Sequence, residues 1–205
     1  MSIVKEGYPF IAIGLILGIV LLILPLGYFS LIFGTLLILF GAFCIYFFRD
    51  PKVSITQGKN LVLSPCNGKV LAVEENEEFK IVRVFLSVFD VHLQRSPVAG
   101  QVISVKHLNG KFLKAMDPKA HVENEQNIIT IKNDKATFIV KQIAGILARR
   151  CVAWVEAGDE LKAGDKIGVI KFSSQVDILF PKNIEVKIKK GERVVSGISI
   201  IGEIK

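Results

Sequence analysis

The chain is poor in the residues that build metal centres and covalent frameworks. Among 205 residues there are three cysteines, three histidines, two methionines and one tryptophan. Cys44, Cys66 and Cys151 stand far apart with no CxxC pair, which excludes a disulfide framework and offers no metal-ligand spacing. They are expected to be buried, reduced thiols. Charge is lacking altogether from residues 7–48. A chain with that gap is neither an ordinary soluble globule nor a disordered polymer, and one such block is too little for a polytopic transporter. Internal repeats, low-complexity tracts outside this block and recognised nucleic-acid-binding motifs are also missing.

What is present divides in two. A hydrocarbon core of about 30 Å takes about 20 helical residues, so the uncharged block is long enough for two crossings. Pro25-Leu26-Gly27 interrupts it midway, where Pro and Gly both disfavour a helix interior. Two helices are therefore expected near 9–24 and 29–48, forming a membrane hairpin whose first arm is short enough to insert shallowly or at a tilt. A secretory signal fits poorly: the apolar stretch is too long and no small-residue cleavage site follows. Lys5 precedes the block, Arg49 and Lys52 follow it, and the turn carries no charge. Both ends, and the domain after them, are then expected on the cytoplasmic side of the cell membrane. The expected layout is an anchor at 1–48 and one domain at 49–205. Lys5 and Glu6 cancel, so the whole net charge of +7 belongs to the domain. Next to a bilayer, basic residues attract anionic lipid head groups, and this reading is preferred to nucleic-acid binding.

Beyond the anchor, short apolar or β-branched segments alternate with Gly, Pro and Asn turns. Strands are expected at 60–64, 69–73, 80–87, 100–105, 127–131, 137–143, 150–155, 165–171, 176–180 and 185–188; only 144–149 reads locally as a helical turn. The run GDELKAGDKIGVI at 158–170 separates very short strands by tight Gly/Asp turns. That layout resembles the flattened β-barrel of lipoyl and biotinyl carriers, so the expected fold is mainly β, a flattened barrel or sandwich. Such carriers present a modifiable Lys at a hairpin tip. Here the hairpin leads into Phe172-Ser173-Ser174-Gln175-Val176-Asp177, and a Ser-Ser pair by itself reads as a turn.

A set of blocks in one order adds to this: KEGYPF at 5–10, FFRDP at 47–51, SPCNGKV at 64–70, FLSVFDVHLQRSPVAGQV at 85–102, GKFLKA at 110–115, ENEQN at 123–127, KQIAGILARR at 141–150 and GDKIGVIKFSSQVDILFP at 164–181. Together they resemble the phosphatidylserine decarboxylase proenzyme family in its short bacterial and archaeal form, nearly end to end. The resemblance implies a proenzyme that cuts itself between Ser173 and Ser174. The products would be a β chain of 1–173 and an α chain of 174–205, forming a heterodimer that the family further assembles as a dimer of cut protomers. Ser174 would become an N-terminal pyruvoyl cofactor, no metal is implied, and the substrate would be an anionic amino-phospholipid. In such chemistry the serine hydroxyl attacks the preceding carbonyl, the ester is eliminated, and the resulting ketone forms a Schiff base with the substrate amine and takes up the electron pair released with CO2.

His92 then stands as proton donor and as assistant in self-cleavage, since its titration range suits both; against this, it reads as a structural histidine at a strand–loop junction. His107 and His121 lie outside the matching blocks and read as structural. Asp90 would share a strand face with His92 and orient the imidazole, or else cap a turn. Arg149 and Arg150 would hold the substrate phosphate or carboxylate, if not simply solvated; Gln142 and Arg95 are candidates of the same kind.

Two positions depart from the family pattern. Family members usually carry Asp within the SPxDG segment, as the acid of an Asp/His/Ser self-cleavage set, and here Asn67 stands there. In a Ser-His-Asp set the same exchange costs about 10⁴ in rate. The family also usually cuts Gly-Ser, where this chain has Ser173-Ser174. Three readings of these departures follow: an active phosphatidylserine decarboxylase in which Asp90 or another acid supplies the missing charge, one that matures slowly after deamidation of Asn67, and an uncleaved variant. Separate alternatives are an archaetidylserine decarboxylase and a membrane-tethered carrier module.

Overall fold

The computed structural model of the chain describes residues 2–204 apart from 115, 116, 118, 147–149 and 173. It divides into two compact units, Met1–Lys52 and Val53–Lys205.

In the first unit, β1 (Ser2–Ile3) pairs antiparallel with β2 (Arg49–Asp50). Between them run α1 (Tyr8–Ile23) and α2 (Tyr28–Phe47), each one residue earlier than expected. The turn depends on Gly27, whose φ of 64° and ψ of −146° lie in a region essentially reserved for glycine. Ser30 Oγ donates to the carbonyls of Leu24 and Gly27, both at 3.0 Å, closing the turn. Along the helix–helix contact the backbones approach closely. A Cβ on Gly14 would lie 2.8 Å from Gly41 Cα, and one on Gly18 would lie 3.0 Å from the Gly34 carbonyl oxygen. Small residues at a helix interface with apolar outward faces are the pattern of helices that associate in lipid; Ile16, Ile23 and Leu39 are exposed on those faces. Both helices are long and apolar enough to cross a bilayer by length and composition.

The second unit is mainly β. Its elements are β3 (Leu61–Leu63), β4 (Gly68–Glu75), β5 (Phe79–Leu86), β6 (Leu93–Arg95), β7 (Gly100–Leu108), α3 (Ala120–Glu123), β8 (Gln126–Lys132), β9 (Thr137–Ala144), β10 (Cys151–Ala153), β11 (Glu160–Leu161), β12 (Lys166–Ile170), β13 (Ser174–Pro181), β14 (Ile184–Val186), β15 (Arg193–Val194) and β16 (Ile200–Ile204). Eight strands form one antiparallel sheet in the order β11-β7-β8-β9-β13-β5-β4-β15, curled into a half-barrel. Bulges in β4 near Val70 and in β7 near Val102 raise the local twist that curls it. Two three-stranded sheets, β10-β12-β6 and β14-β16-β3, complete the unit.

Alternation sets the core. Val82, Val84 and Leu86 of β5, Ile129 and Ile131 of β8, Phe138 and Val140 of β9, and Val176, Ile178 and Phe180 of β13 point into one buried cluster. All the expected strands appear. The strands not foreseen, among them β6, β11, β15 and β16, are too short or too irregular to show a period; β16 is broken by a register shift between Ile200 and Gly202. The expected helical turn at 144–149 is not a helix at its start, because Ala144 ends β9; residues 147–149 lie outside the described residues.

β13 occupies the middle of the large sheet, between β9 and β5, and residues 174–180 are all buried. Ile178→Ala is therefore expected to cost about 2–5 kcal/mol, read as a lowered urea midpoint of the full chain. Ile103→Ala, at a half-exposed site on β7, is expected to stay within about 0.5 kcal/mol.

Candidate active site

Ser174 opens β13 opposite Leu86 on β5 and Ala144 on β9. Alternation puts its side chain on the inner face with Val176 and Ile178. It is fully buried, and its Oγ has no hydrogen-bond partner among the described residues. Two residues earlier Phe172 has a φ of 56°, a conformation that strains a bulky residue by about 1–3 kcal/mol. An unsatisfied buried hydroxyl adds about 1–3 kcal/mol of its own. Both features cost stability. Ser173 lies outside the described residues.

Asp90 and His92 do not share a strand, as one alternative had it. They lie in the turn between β5 and β6, and Asp90 caps it: its carboxylate accepts from Ser87 N at 2.9 Å and Ser87 Oγ at 2.8 Å, and pairs with Arg193. The orienting contact comes instead from the Asp90 peptide oxygen, 3.0 Å from His92 Nδ1. A carbonyl only accepts, so Nδ1 carries a proton and Nε2 is the nitrogen left to exchange one. His92 is buried, in a segment whose carbonyl accepts from Ile170 N at 3.2 Å.

Asn67 sits in the loop entering β4. Its Oδ1 accepts from Ser196 N at 3.1 Å, while Ser196 Oγ donates to the Pro65 carbonyl at 3.0 Å. The side chain thus pins the turn after β15, a task a carboxylate oxygen would perform equally well.

Gln142, expected as a substrate ligand, is fully buried inside a row of amides. Asn127 Nδ2 donates to Gln142 Oε1 at 2.9 Å, Gln142 Nε2 to Gln94 Oε1 at 2.8 Å, and Gln94 Nε2 to the His92 carbonyl at 2.6 Å. Gly168 makes room for the row, since a Cβ there would lie 2.6 Å from Gln142 Nε2. Gln94 and Asn127 were not foreseen. Asn127 was within reach, because it alternates inward with Ile129 and Ile131; Gln94 left no local signal.

Comparison with known proteins bears on this geometry. The family model described as phosphatidylserine decarboxylase matches residues 40–202. The phosphatidylserine decarboxylase proenzyme of Solibacter usitatus is 44% identical over 83% of each chain. That of Magnetococcus marinus is 35% identical over 99% of this chain and 95% of its own. That of Carboxydothermus hydrogenoformans is 44% identical over 84% of each. The chain belongs to the phosphatidylserine decarboxylase family. It is accordingly a carboxy-lyase.

In this decarboxylase the arginine candidates separate. Arg95 is buried and donates from Nη1 to the Gly164 carbonyl at 2.9 Å, which braces the turn before β12. Arg150 is exposed just ahead of β10. Arg149 lies outside the described residues. Burial pushes the Cys66 and Cys151 thiols far up, so both are inert neutral thiols.

Asp177 follows Ser174 by three residues on the opposite face of β13. It accepts from Gln175 Nε2 at 2.6 Å and from Arg83 Nε at 3.3 Å. Burial raises its carboxyl above the ordinary 3.8, and the Gln175 hydrogen bond and the Arg83 charge only partly offset this. A raised folded-state value means that the native protein holds the proton more tightly, so stability falls as pH rises above about 4, until the folded group has ionised. Asp177→Asn is expected to flatten that decline in a series of thermal melts taken from pH 4 upward.

Proposed function

We propose that this chain is a membrane-anchored phosphatidylserine decarboxylase that makes its own pyruvoyl group from Ser174. The observation that carries the proposal is the buried Ser174 Oγ, without a hydrogen-bond partner among the described residues, at the head of the central strand, two residues after the strained Phe172. Ser174 Oγ attacks the carbonyl carbon of residue 173, and the peptide nitrogen leaves that carbon as an amine, converting amide to ester. A base removes the Ser174 α-proton, the ester Cβ–O bond breaks, and residue 173 departs as a carboxylate. The dehydroalanine left behind hydrolyses to the ketone with loss of ammonia. His92, neutral with Nδ1 held by the Asp90 carbonyl, is the base assigned to these proton transfers.

The pyruvoyl group supplies an electron sink for decarboxylation. The residues here fit it: Ser174 provides its atoms, and the inner face of the half-barrel shields it from water. His92 Nε2 is the group that returns a proton to the substrate carbon. Arg150 and Arg149 are proposed to engage the phosphate or carboxylate of the anionic amino-phospholipid. After the cut, β13 would still be hydrogen-bonded to β5 and β9, so the fragments 1–173 and 174–205 stay together without a covalent link. The hairpin of α1 and α2 is proposed to hold the enzyme in the cell membrane with the domain on the cytoplasmic side, where a water-insoluble substrate lies.

Intact-mass analysis and gels of the purified protein test the reading. Wild type is expected to give the two fragments, the smaller blocked by a pyruvoyl group and reducible by borohydride. Ser174→Ala is expected to remain a single 22.6 kDa chain, and a wild-type chain that also stays whole would overturn the proposal. Asn67→Asp keeps an acceptor for Ser196 N–H and is expected to speed self-cleavage. An unchanged rate would show that the Asp90 carbonyl suffices to orient His92. Thin-layer assay with phosphatidylserine and archaetidylserine decides the lipid class, with the first expected to be the better substrate.

A further inference from the structure

We propose that Gln142 and Gln94 are positioning residues that act on His92 rather than ligands of the substrate. The inference rests on the role given to His92 above. In its own turn the imidazole is oriented by the contact from Nδ1 to the Asp90 carbonyl. That contact fixes the ring only if the His92 backbone, from which the ring hangs, is also fixed. The amide row holds that backbone at the His92 carbonyl. Asn127 and Gln142 are directly opposed on β8 and β9 of the large sheet, whereas Gln94 belongs to β6 of the small one. Gln142 Nε2 crosses between the sheets to Gln94 Oε1, and Gln94 Nε2 turns back onto the His92 carbonyl. The passage is open because β12 carries Gly168 at the crossing.

The row has one polarity. Each amide accepts at its oxygen and donates from its nitrogen toward His92, and the oxygen of Asn127 is met by His107 Nδ1 at 2.8 Å. Both ends of the Gln142 amide are thereby occupied, and the side chain is fully buried. A substrate head group would have to break two hydrogen bonds to reach it. Leaving one such buried amide group unpaired costs more than the bond contributes, which is why the row holds its register. Reversing any member would bring oxygen against oxygen at the next, and at the last step against the His92 carbonyl.

That polarity makes the proposal testable by isosteric change. Gln142→Glu keeps the shape, but an ionised carboxylate cannot donate to Gln94 Oε1. Gln94→Asn keeps an amide but shortens the reach by one methylene. With only three histidines in the chain, ¹⁵N-histidine NMR on full-length Ser174→Ala protein in nanodiscs reads the His92 ring without any need for activity. Each variant is expected to move His92 away from the Nδ1-protonated tautomer and leave His121 unchanged. In the cleavable chain each is expected to slow self-cleavage, and kcat after maturation, by about tenfold or more, equivalent to about 1.4 kcal/mol, with KM for the lipid unaltered. The double variant should be no slower than the worse single one, because both act through one chain of bonds.

A raised KM with an unchanged His92 spectrum would make Gln142 a substrate ligand and overturn the proposal. So would losses that multiply in the double variant. If neither variant folds, the row is framework only and the assignment falls. If wild type neither cuts itself nor decarboxylates, the proposed function fails on its own, while the tautomer comparison still decides whether the row positions His92.

Discussion

The pairing of β13 with β9 on one side and β5 on the other is the constraint on which the rest of the domain depends. A strand in that place has both backbone edges satisfied and, here, both faces covered. Its first residue, Ser174, is held by that ladder opposite Leu86 and Ala144. Phe172, just ahead of it, has a positive φ. The proposed self-cleavage draws on this combination. A serine in the middle of the strand would be protected by the ladder, and one in a free loop would be too mobile to hold an attack geometry.

The same pairing separates two uses of β13. Its inner face carries Ser174, Val176, Ile178 and Phe180 toward the core and the amide row. Its outer face carries Gln175 and Asp177, with Arg83 of β5 and Lys141 of β9 directly opposite Asp177. Polar groups are buried on both faces, and the hydrogen bonds that satisfy them run across strands. On β13 and its neighbours, charge is kept on the outer face and neutral amides on the inner one. The nearby Asp90 carboxylate is likewise turned away, engaged by Ser87 and Arg193, and only its carbonyl faces the ring. The Asn67 side-chain oxygen serves a backbone N–H and not a charge.

Much of this was legible in the chain. The two helices fell one residue from their expected bounds, because a long stretch without charge and a Pro-Leu-Gly break are local facts that no tertiary contact overrides. The strands with clean alternation, such as β5, β8 and β9, were equally open to reading. Ser174 and His92 were named from blocks of residues in order. Other parts were hidden. β6 is three residues long and includes two polar side chains, and its pairing partner comes much later in the chain. Of the two expected readings of Asp90, the strand face is absent and the turn cap is present, and that turn is defined by its own side chain. The amide partner of Gln142 could not be read locally, because Gln94 is 48 positions away.

By itself, the sequence determined an apolar hairpin, a mainly β domain and the family, and it singled out the serine and histidine proposed for the chemistry. These follow from composition, short-period alternation and motif order, all carried by neighbours in the chain. Only the tertiary structure decided which groups those two residues meet. The lone hydroxyl of Ser174, the carbonyl that sets the His92 tautomer, and the amide row that crosses from one sheet to another depend on strand register and on hydrogen bonds between distant residues. A register shift of one residue would reverse every face involved, and no local pattern records it.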